Sequence, residues 1–198
     1  SGVASVVAGE QSVGTYVVQL RDRFGNLIVS ENSAAVQMRI KVDANDSSVG
    51  RGGVLIPPSN QTASLTFSNG VATFNDFKLG GLFGVDYRFQ FVSQRLGLIT
   101  TDSNVVNVTH GAASRLEFSQ SPTLVAVGDT FSSAQRPVLR LVDQYGNLVV
   151  NASGNSFAVT VSPATELSTI LPTMTNGVFE LSNVSMLGTP GVDYFMTF

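Results

Sequence analysis

Cysteine is absent from the 198 residues, and that absence removes disulfide staples, thiolate metal sites and thiol catalysis together. Tryptophan is absent too, and most Phe and Tyr fall at alternating, inward positions, so an exposed aromatic row of the kind a carbohydrate-binding face needs is not expected. Charge is scarce: 13% of residues are charged, the net charge is −3, and Lys41 and Lys78 are the only lysines. Such a chain offers no electrostatic footprint for nucleic acid or for an anionic membrane surface. No apolar run approaches the roughly 20 residues that span a bilayer, so no membrane-spanning segment is expected. Ser1 to Val7 lacks the charged and apolar regions of a signal peptide, which puts any targeting segment of a secreted protein upstream. Histidine occurs once, as His110, so a Ser-His-Asp relay would have to be built around that single residue. No glycine-rich phosphate loop opens a helix, because helical spacing is nowhere sustained. The chain is expected not to be an enzyme and to need no cofactor.

What is present is apolar and repetitive. Hydrophobic residues make up 43% of the chain, enough to build packed cores and too much for a disordered linker. The segment Leu20-Arg21-Asp22-Arg23-Phe24-Gly25-Asn26-Leu27 recurs as Leu141-Val142-Asp143-Gln144-Tyr145-Gly146-Asn147-Leu148, an offset of 146 − 25 = 121. Asn69-Gly70-Val71 recurs as Asn176-Gly177-Val178, and Gly84-Val85-Asp86-Tyr87 as Gly191-Val192-Asp193-Tyr194, both at an offset of 107. The 14 residues between the two offsets are expected to form a surface-loop insertion in the first copy, around Asp43 to Ser59. The implied domains are 1–109 and 110–198, with His110 and Gly111 in the linker. Ala113 to Phe118 reads as an opening strand with no counterpart before Val3. The first copy continues to a last strand near Val105 to Val108 with no counterpart before Phe198. The first copy is thus expected to lack its first strand and the second its last, as in a longer array cut out of phase.

Period two dominates. Val36, Met38, Ile40 and Val42 alternate with polar residues, as do Tyr87, Phe89 and Phe91. In the second copy Phe157, Val159 and Val161, then Tyr194, Met196 and Phe198, repeat the pattern. Each set predicts a strand with one buried and one wet face. Gly25-Asn26, Gly146-Asn147, Asn69-Gly70 and Asn176-Gly177 punctuate the strands, since Asn and Gly tolerate the positive φ of tight turns. The fold class is all-β, with about seven short strands per copy arranged as an antiparallel sandwich. Asp22 and Asp143 hold the same place in both turns and are expected to accept hydrogen bonds from turn amides.

The Asp-x-aromatic-Gly-Asn turn, the Asn-Gly-Val strand start and the Gly-Val-Asp-Tyr strand together resemble the immunoglobulin-like repeats of invasin-type and filamin-type arrays, and the resemblance covers nearly the whole chain. His110 to Phe118 is similar to the junctions of such arrays, where a small-residue linker enters the next strand. The resemblance implies two tandem immunoglobulin-like β-sandwich domains with a mechanical role: rods that space, crosslink or display something else. Filamins are cytoplasmic crosslinkers and invasin-like arrays lie on cell surfaces, so compartment has to come from other residues.

Five N-x-S/T sequons supply that signal: Asn45, Asn60, Asn107, Asn151 and Asn183, none with proline in the middle position. They point to a secreted or cell-surface glycoprotein. Asp43-Ala44-Asn45-Asp46 has the oxygen-rich character of a calcium loop, but it lies inside a repeat without partner acidic motifs and is read as a solvated loop. The leading expectation is a structural repeat of an extracellular fibre or surface rod. Its partners would be neighbouring repeats of the same protein, with self-assembly by strand addition at open sheet edges. The alternatives are an adhesin or receptor module binding a protein or glycan through the Asp43–Ser59 loop, and a cytoplasmic filamin-like crosslinker.

Overall fold

The computed structural model describes residues 5–43, 46, 49–59, 61–93, 95–100, 102–123, 125–154, 158–167, 173–182 and 184–198. Every regular element among them is a strand, and the chain divides into two compact units, Ser1–Gly111 and Ala112–Phe198.

Unit 1 holds β1 (Ser5–Val7), β2 (Tyr16–Gln19), β3 (Ala35–Ile40), β4 (Val54–Ile56), β5 (Ser64–Thr66), β6 (Val71–Phe74), β7 (Lys78–Gly80), β8 (Phe89–Ser93), β9 (Leu98–Ile99) and β10 (Asn107–Thr109). One layer pairs β2 with β6 and β4 with β7, antiparallel throughout. The other runs β5-β3-β8-β9. Aromatic side chains close the space between them: Tyr16 of β2 meets Phe89 and Phe91 of β8 at ring-centroid distances of 5.5 and 5.6 Å, and Phe74 of β6 meets Phe91 at 5.1 Å. The chain's first and last strands in this unit, β1 and β10, pair in parallel, while Val106 bridges Tyr87 just ahead of β8. Two antiparallel layers with such a closing pair make an immunoglobulin-like β-sandwich.

Alternation places the core as period two predicts. Val36 and Met38 are buried while Gln37 and Arg39 face outward, and Tyr87, Phe89 and Phe91 are buried. Val42 departs from the expectation and is 67% exposed. The ladder between β3 and β8 ends at Ile40↔Phe89, so the pleat that buries Val36 and Met38 has stopped before it reaches Val42.

Unit 2 holds β11 (Ala113–Gln120), β12 (Val138–Asp143), β13 (Thr160–Ser162), β14 (Glu166–Leu167), β15 (Val178–Glu180), β16 (Met186–Leu187) and β17 (Phe195–Thr197). The layer β11-β12-β15 is antiparallel, as are the pairs β13–β17 and β14–β16. Its core gathers Phe131, Leu139, Met174, Phe179, Leu181 and Val184, with Leu116, Met196 and Phe198 packed against them. Phe157, expected to point inward, lies outside the described residues; Val159 and Val161 are half-buried.

Three ladders recur in the two units at fixed offsets. Val17↔Thr73, Val18↔Ala72 and Gln19↔Val71 in unit 1 become Val138↔Glu180, Leu139↔Phe179 and Arg140↔Val178 in unit 2, shifted by 121 on one strand and 107 on the other. Arg39↔Gln90 and Ile40↔Phe89 become Thr160↔Thr197 and Val161↔Met196 by the same two shifts. Leu55↔Leu79 and Leu167↔Met186 match as well, and 167 − 55 = 112 locates the length difference. Nine residues of it precede β4 and five follow. The Asp43–Ser59 stretch is therefore not the simple surface loop expected: it carries β4, which is held in the sheet by β7. The apolar Val54-Leu55-Ile56 run inside it was the sign of a strand.

Candidate functional site

The duplicated turn of each copy is an aspartate cage. Asp22 Oδ1 accepts hydrogen bonds from the backbone N–H of Phe24 (2.8 Å) and Asn26 (2.9 Å), and Oδ2 accepts from Asn26 Nδ2 at 3.1 Å. Asp143 repeats the set from Tyr145 N (2.8 Å), Asn147 N (2.9 Å) and Asn147 Nδ2 (2.9 Å). Gly25 and Gly146 sit at φ of 87° and 92° and complete the turn by donating to the aspartate carbonyls. These donors engage both oxygens of each carboxylate, and for Asp22 the Asn26 amide above all holds the pKa below the ordinary carboxylate value. The environments differ. Asp22 is exposed, whereas Asp143 is buried, because Ala113 of β11 pairs with it and Arg115 Nη1 donates to its carbonyl at 3.2 Å.

A second duplicated fixture centres on Tyr87 and Tyr194. Tyr87 Oη accepts from Leu82 N at 2.8 Å and donates to Arg51 O at 2.8 Å. Tyr194 Oη accepts from Thr189 N at 2.8 Å. Both rings lie on a glycine: a Cβ on Gly81 would stand 2.5 Å from Tyr87 Oη, and one on Gly188 would stand 2.8 Å from the Tyr194 ring. Sequence reading found the tyrosines but not these glycines. The signal was there, since Gly81 and Gly188 precede their tyrosines by the same six residues. Burial, the larger effect, raises the Tyr87 pKa despite the Leu82 hydrogen bond.

Of the five sequons, Asn107 and Asn151 are exposed; Asn107 projects outward on β10 between Val106 and Val108, both buried. Asn45, Asn60 and Asn183 lie outside the described residues. Asp43 and Asp46 meet through a backbone bridge, and among the described residues no three His, Asp or Glu side chains gather as a metal-binding group. His110 is half-buried with Nδ1 3.0 Å from the carbonyl oxygen of buried Gly111. No helix among the described residues is long and apolar enough to cross a membrane.

Each unit also carries a groove among its described residues. In unit 1 a groove of about 260 Å³ runs beside β2, lined by Val18, Leu20, Val36, Phe67 and Phe91 among others. In unit 2 a wider one, about 590 Å³, lies between the Val125–Val127 segment and Tyr194–Met196.

No protein-family model matches the chain, and no curated protein does so either. Among solved structures, a chain of the "Crystal structure of ICOS in complex with ICOS-L and an anti ICOS-L VNAR domain" aligns at 11% identity, covering 98% of this chain and 90% of that one. Its TM-score is 0.17, too low to carry any argument, and the fold rests on the strand pairing described above.

Proposed function

We propose that this chain is a structural repeat segment of an extracellular fibre or cell-surface rod, and that it performs no catalysis. The observation that carries the reading is the duplicated register: two sandwiches built on the same ladders, the same aspartate turn and the same tyrosine fixture. Repetition of that kind spends sequence on the scaffold, and both repeated polar fixtures satisfy their own backbone. In unit 1 the long stretch before β5 is fastened to the sandwich through β4 and Arg51 O, which favours a scaffold over a free recognition loop. The extracellular part of the proposal rests on the sequons, of which Asn107 and Asn151 are exposed to a glycosyltransferase.

Secretion of the chain from a eukaryotic host, followed by intact mass with and without glycosidase, tests that part; a mass decrease at Asn107 or Asn151 is expected, and an unchanged mass returns the cytoplasmic crosslinker to first place. Length measurements on tandem copies by electron microscopy test the rod itself. Copies that collapse into a compact particle would count against it.

A further inference from the structure

Asn-Gly occurs twice in the chain, as Asn69-Gly70 and Asn176-Gly177, and in this dipeptide an asparagine readily loses its side-chain amide. The glycine nitrogen attacks the asparagine Cγ and gives up its proton. A new C–N bond closes a five-membered succinimide, the Cγ–Nδ2 bond breaks, and the side-chain nitrogen leaves as ammonia. Water then opens the ring at either carbonyl, giving aspartate or isoaspartate. Glycine favours the attack because it carries no side chain to shield its nitrogen, and water is the only co-reactant.

Both turns expose one reacting group and bury the other. Asn69 and Asn176 are exposed at φ of 50° and 48°, while Gly70 and Gly177 are buried. Gly70 N donates to Glu31 O at 2.9 Å and Gly177 N to Ala152 O at 2.7 Å, and the two glycine carbonyls accept from Leu20 N and Leu141 N at 2.8 Å. Reciprocal backbone bonds close each turn, between Ser68 and Val71 at 2.9 and 3.0 Å and between Thr175 and Val178 at 2.8 and 2.9 Å. A side chain on the surface holds each asparagine N–H: Asn32 Oδ1 accepts from Asn69 N at 2.6 Å, and Ser153 Oγ from Asn176 N at 3.0 Å. To attack Cγ, the glycine nitrogen has to leave its acceptor and shed its proton. Inside the closed turn that would set an amide anion against a carbonyl oxygen in a buried place, an unpaired charge that a protein interior does not tolerate.

We propose that Asn69-Gly70 and Asn176-Gly177 are sites of spontaneous modification that the folded turns hold shut, so that succinimide forms only when a turn opens and the isoaspartate product then prevents reclosure. Isoaspartate routes the backbone through its Cβ and lengthens a two-residue turn by one atom. The turn has no room for added bulk: a Cβ on Gly70 would already stand 2.3 Å from Ile28 O, and one on Gly177 2.5 Å from Val149 O. Aspartate keeps the native backbone and accepts the same left-handed φ. One product therefore refits the turn and the other does not. In unit 1 the turn carries the chain from β5 in one layer to β6 in the other, so a turn held open frees Leu20 N and loosens the end of the β2–β6 ladder at Gln19↔Val71. Each turn lies within a single unit, and its chemistry is independent of the rod reading.

The intact chain and the free peptides Thr66–Thr73 and Thr173–Phe179 are incubated in mildly alkaline buffer, conversion at each asparagine is followed by mass spectrometry, and hydrogen exchange at Gly70 N and Gly177 N is measured alongside. A reaction confined to opened turns is slowed by the fraction of time a turn is open, so the folded chain is expected to convert at least roughly a hundredfold more slowly than the peptides, in step with the protection of each glycine amide. Asn32→Ala removes an exposed acceptor and should speed conversion at Asn69 about fivefold while leaving Asn176 unchanged; Ser153→Ala should do the reverse. Conversion of the folded chain at the peptide rate would overturn the proposal, as would fast conversion at a well-protected glycine amide or rates that ignore both substitutions. The product is tested by exchange at Leu20 N, expected to be fast in the purified isoaspartyl-69 chain and as slow as in the parent for Asn69→Asp. Slow exchange in both would overturn the block to reclosure.

Discussion

Asp143 and Asp22 make the same three hydrogen bonds and should not matter equally. Removing a carboxylate that saturates buried donors costs about 1–3 kcal/mol, and Asp143 with Asn147 is buried. Asp143→Ala is expected to destabilise unit 2 by about 2 kcal/mol, measured by urea denaturation, while Asp22→Ala, whose site is open to water, should produce a clearly smaller shift of the unit 1 midpoint. Glycine separates cases in the same way. At Gly70 and Gly177 a Cβ would come within 2.3 and 2.5 Å of the carbonyl oxygens of Ile28 and Val149, on top of φ values of 72° and 77°. At Gly84, φ is 79° but nothing lies within 4 Å. Gly70→Ala and Gly177→Ala should therefore exceed the roughly 1–2 kcal/mol of left-handed backbone strain that Gly84→Ala suffers alone. Equal losses at all three would mean that the close approach contributes nothing. The carboxyl groups of Asp22, Glu31 and Asp102 all have pKa values lowered in the fold, chiefly by the Asn26 amide, the Ser33 amide and the Lys41 ammonium respectively. Folded values below the unfolded ones mean that their contribution is complete above the unfolded carboxylate pKa near 4 and disappears as pH falls through the lower folded values. Denaturation midpoints of unit 1 should hold constant from neutral pH down to that point and decline below it.

Among the elements, the strands with strict alternation were the most readable. Val36 and Met38, and Tyr87 to Phe91, faced as their periodicity requires because each strand has one layer to cover and one side in water. The Asn-Gly turns were equally legible, since few residues accept φ near 50° to 77° as Asn69, Gly70, Asn176 and Gly177 do. Less readable was β4. Three apolar residues in a run bounded by Gly53 and Pro57 are too few to establish a period, and their pairing with β7 is a tertiary choice. The Tyr87 fixture was half visible: duplication marked the tyrosine, but its acceptor is Arg51 O, a backbone atom 36 residues away that no side-chain pattern can announce. Tyr87→Phe leaves Leu82 N and Arg51 O without this partner in a half-buried setting, with an expected loss of about 1–3 kcal/mol. Tyr194→Phe removes the exposed bond from Thr189 N and should cost less. A thermal shift series on the two variants checks the order.

At the scale of the whole chain the two units differ in how much large apolar side chain they bury. Of the largest fully buried side chains, Tyr87, Phe74, Phe77, Phe89, Met38 and Leu79 belong to unit 1 and Phe179, Met174 and Leu181 to unit 2, while both units keep large apolar side chains exposed, among them Phe24 and Phe83 in unit 1 and Phe195 and Leu187 in unit 2. Burial of apolar area is the main favourable contribution to folding, so unit 2 should be the less stable. Differential scanning calorimetry is expected to resolve two transitions, with the lower one moved by Asp143→Ala and the upper one by Gly70→Ala. A single transition shifted by both substitutions would contradict independent folding. The repeat is visible in the sequence because turns and ladder positions constrain Asp, Gly, Asn and Tyr individually, while the intervening apolar positions drift among Val, Leu, Phe and Met without losing the core.

The strand that divides the long stretch of unit 1 has a practical side. Because β4 is held by β7 and the Arg51 carbonyl just ahead of it by the Tyr87 hydroxyl, the stretch has a fixed post in its middle. Foreign peptides spliced before residue 49 or after residue 57 would each be displayed from an anchored base, and a splice across Gly53 would drive a side chain into the Tyr87 ring. The unit thus comes with two separate insertion points and one forbidden one.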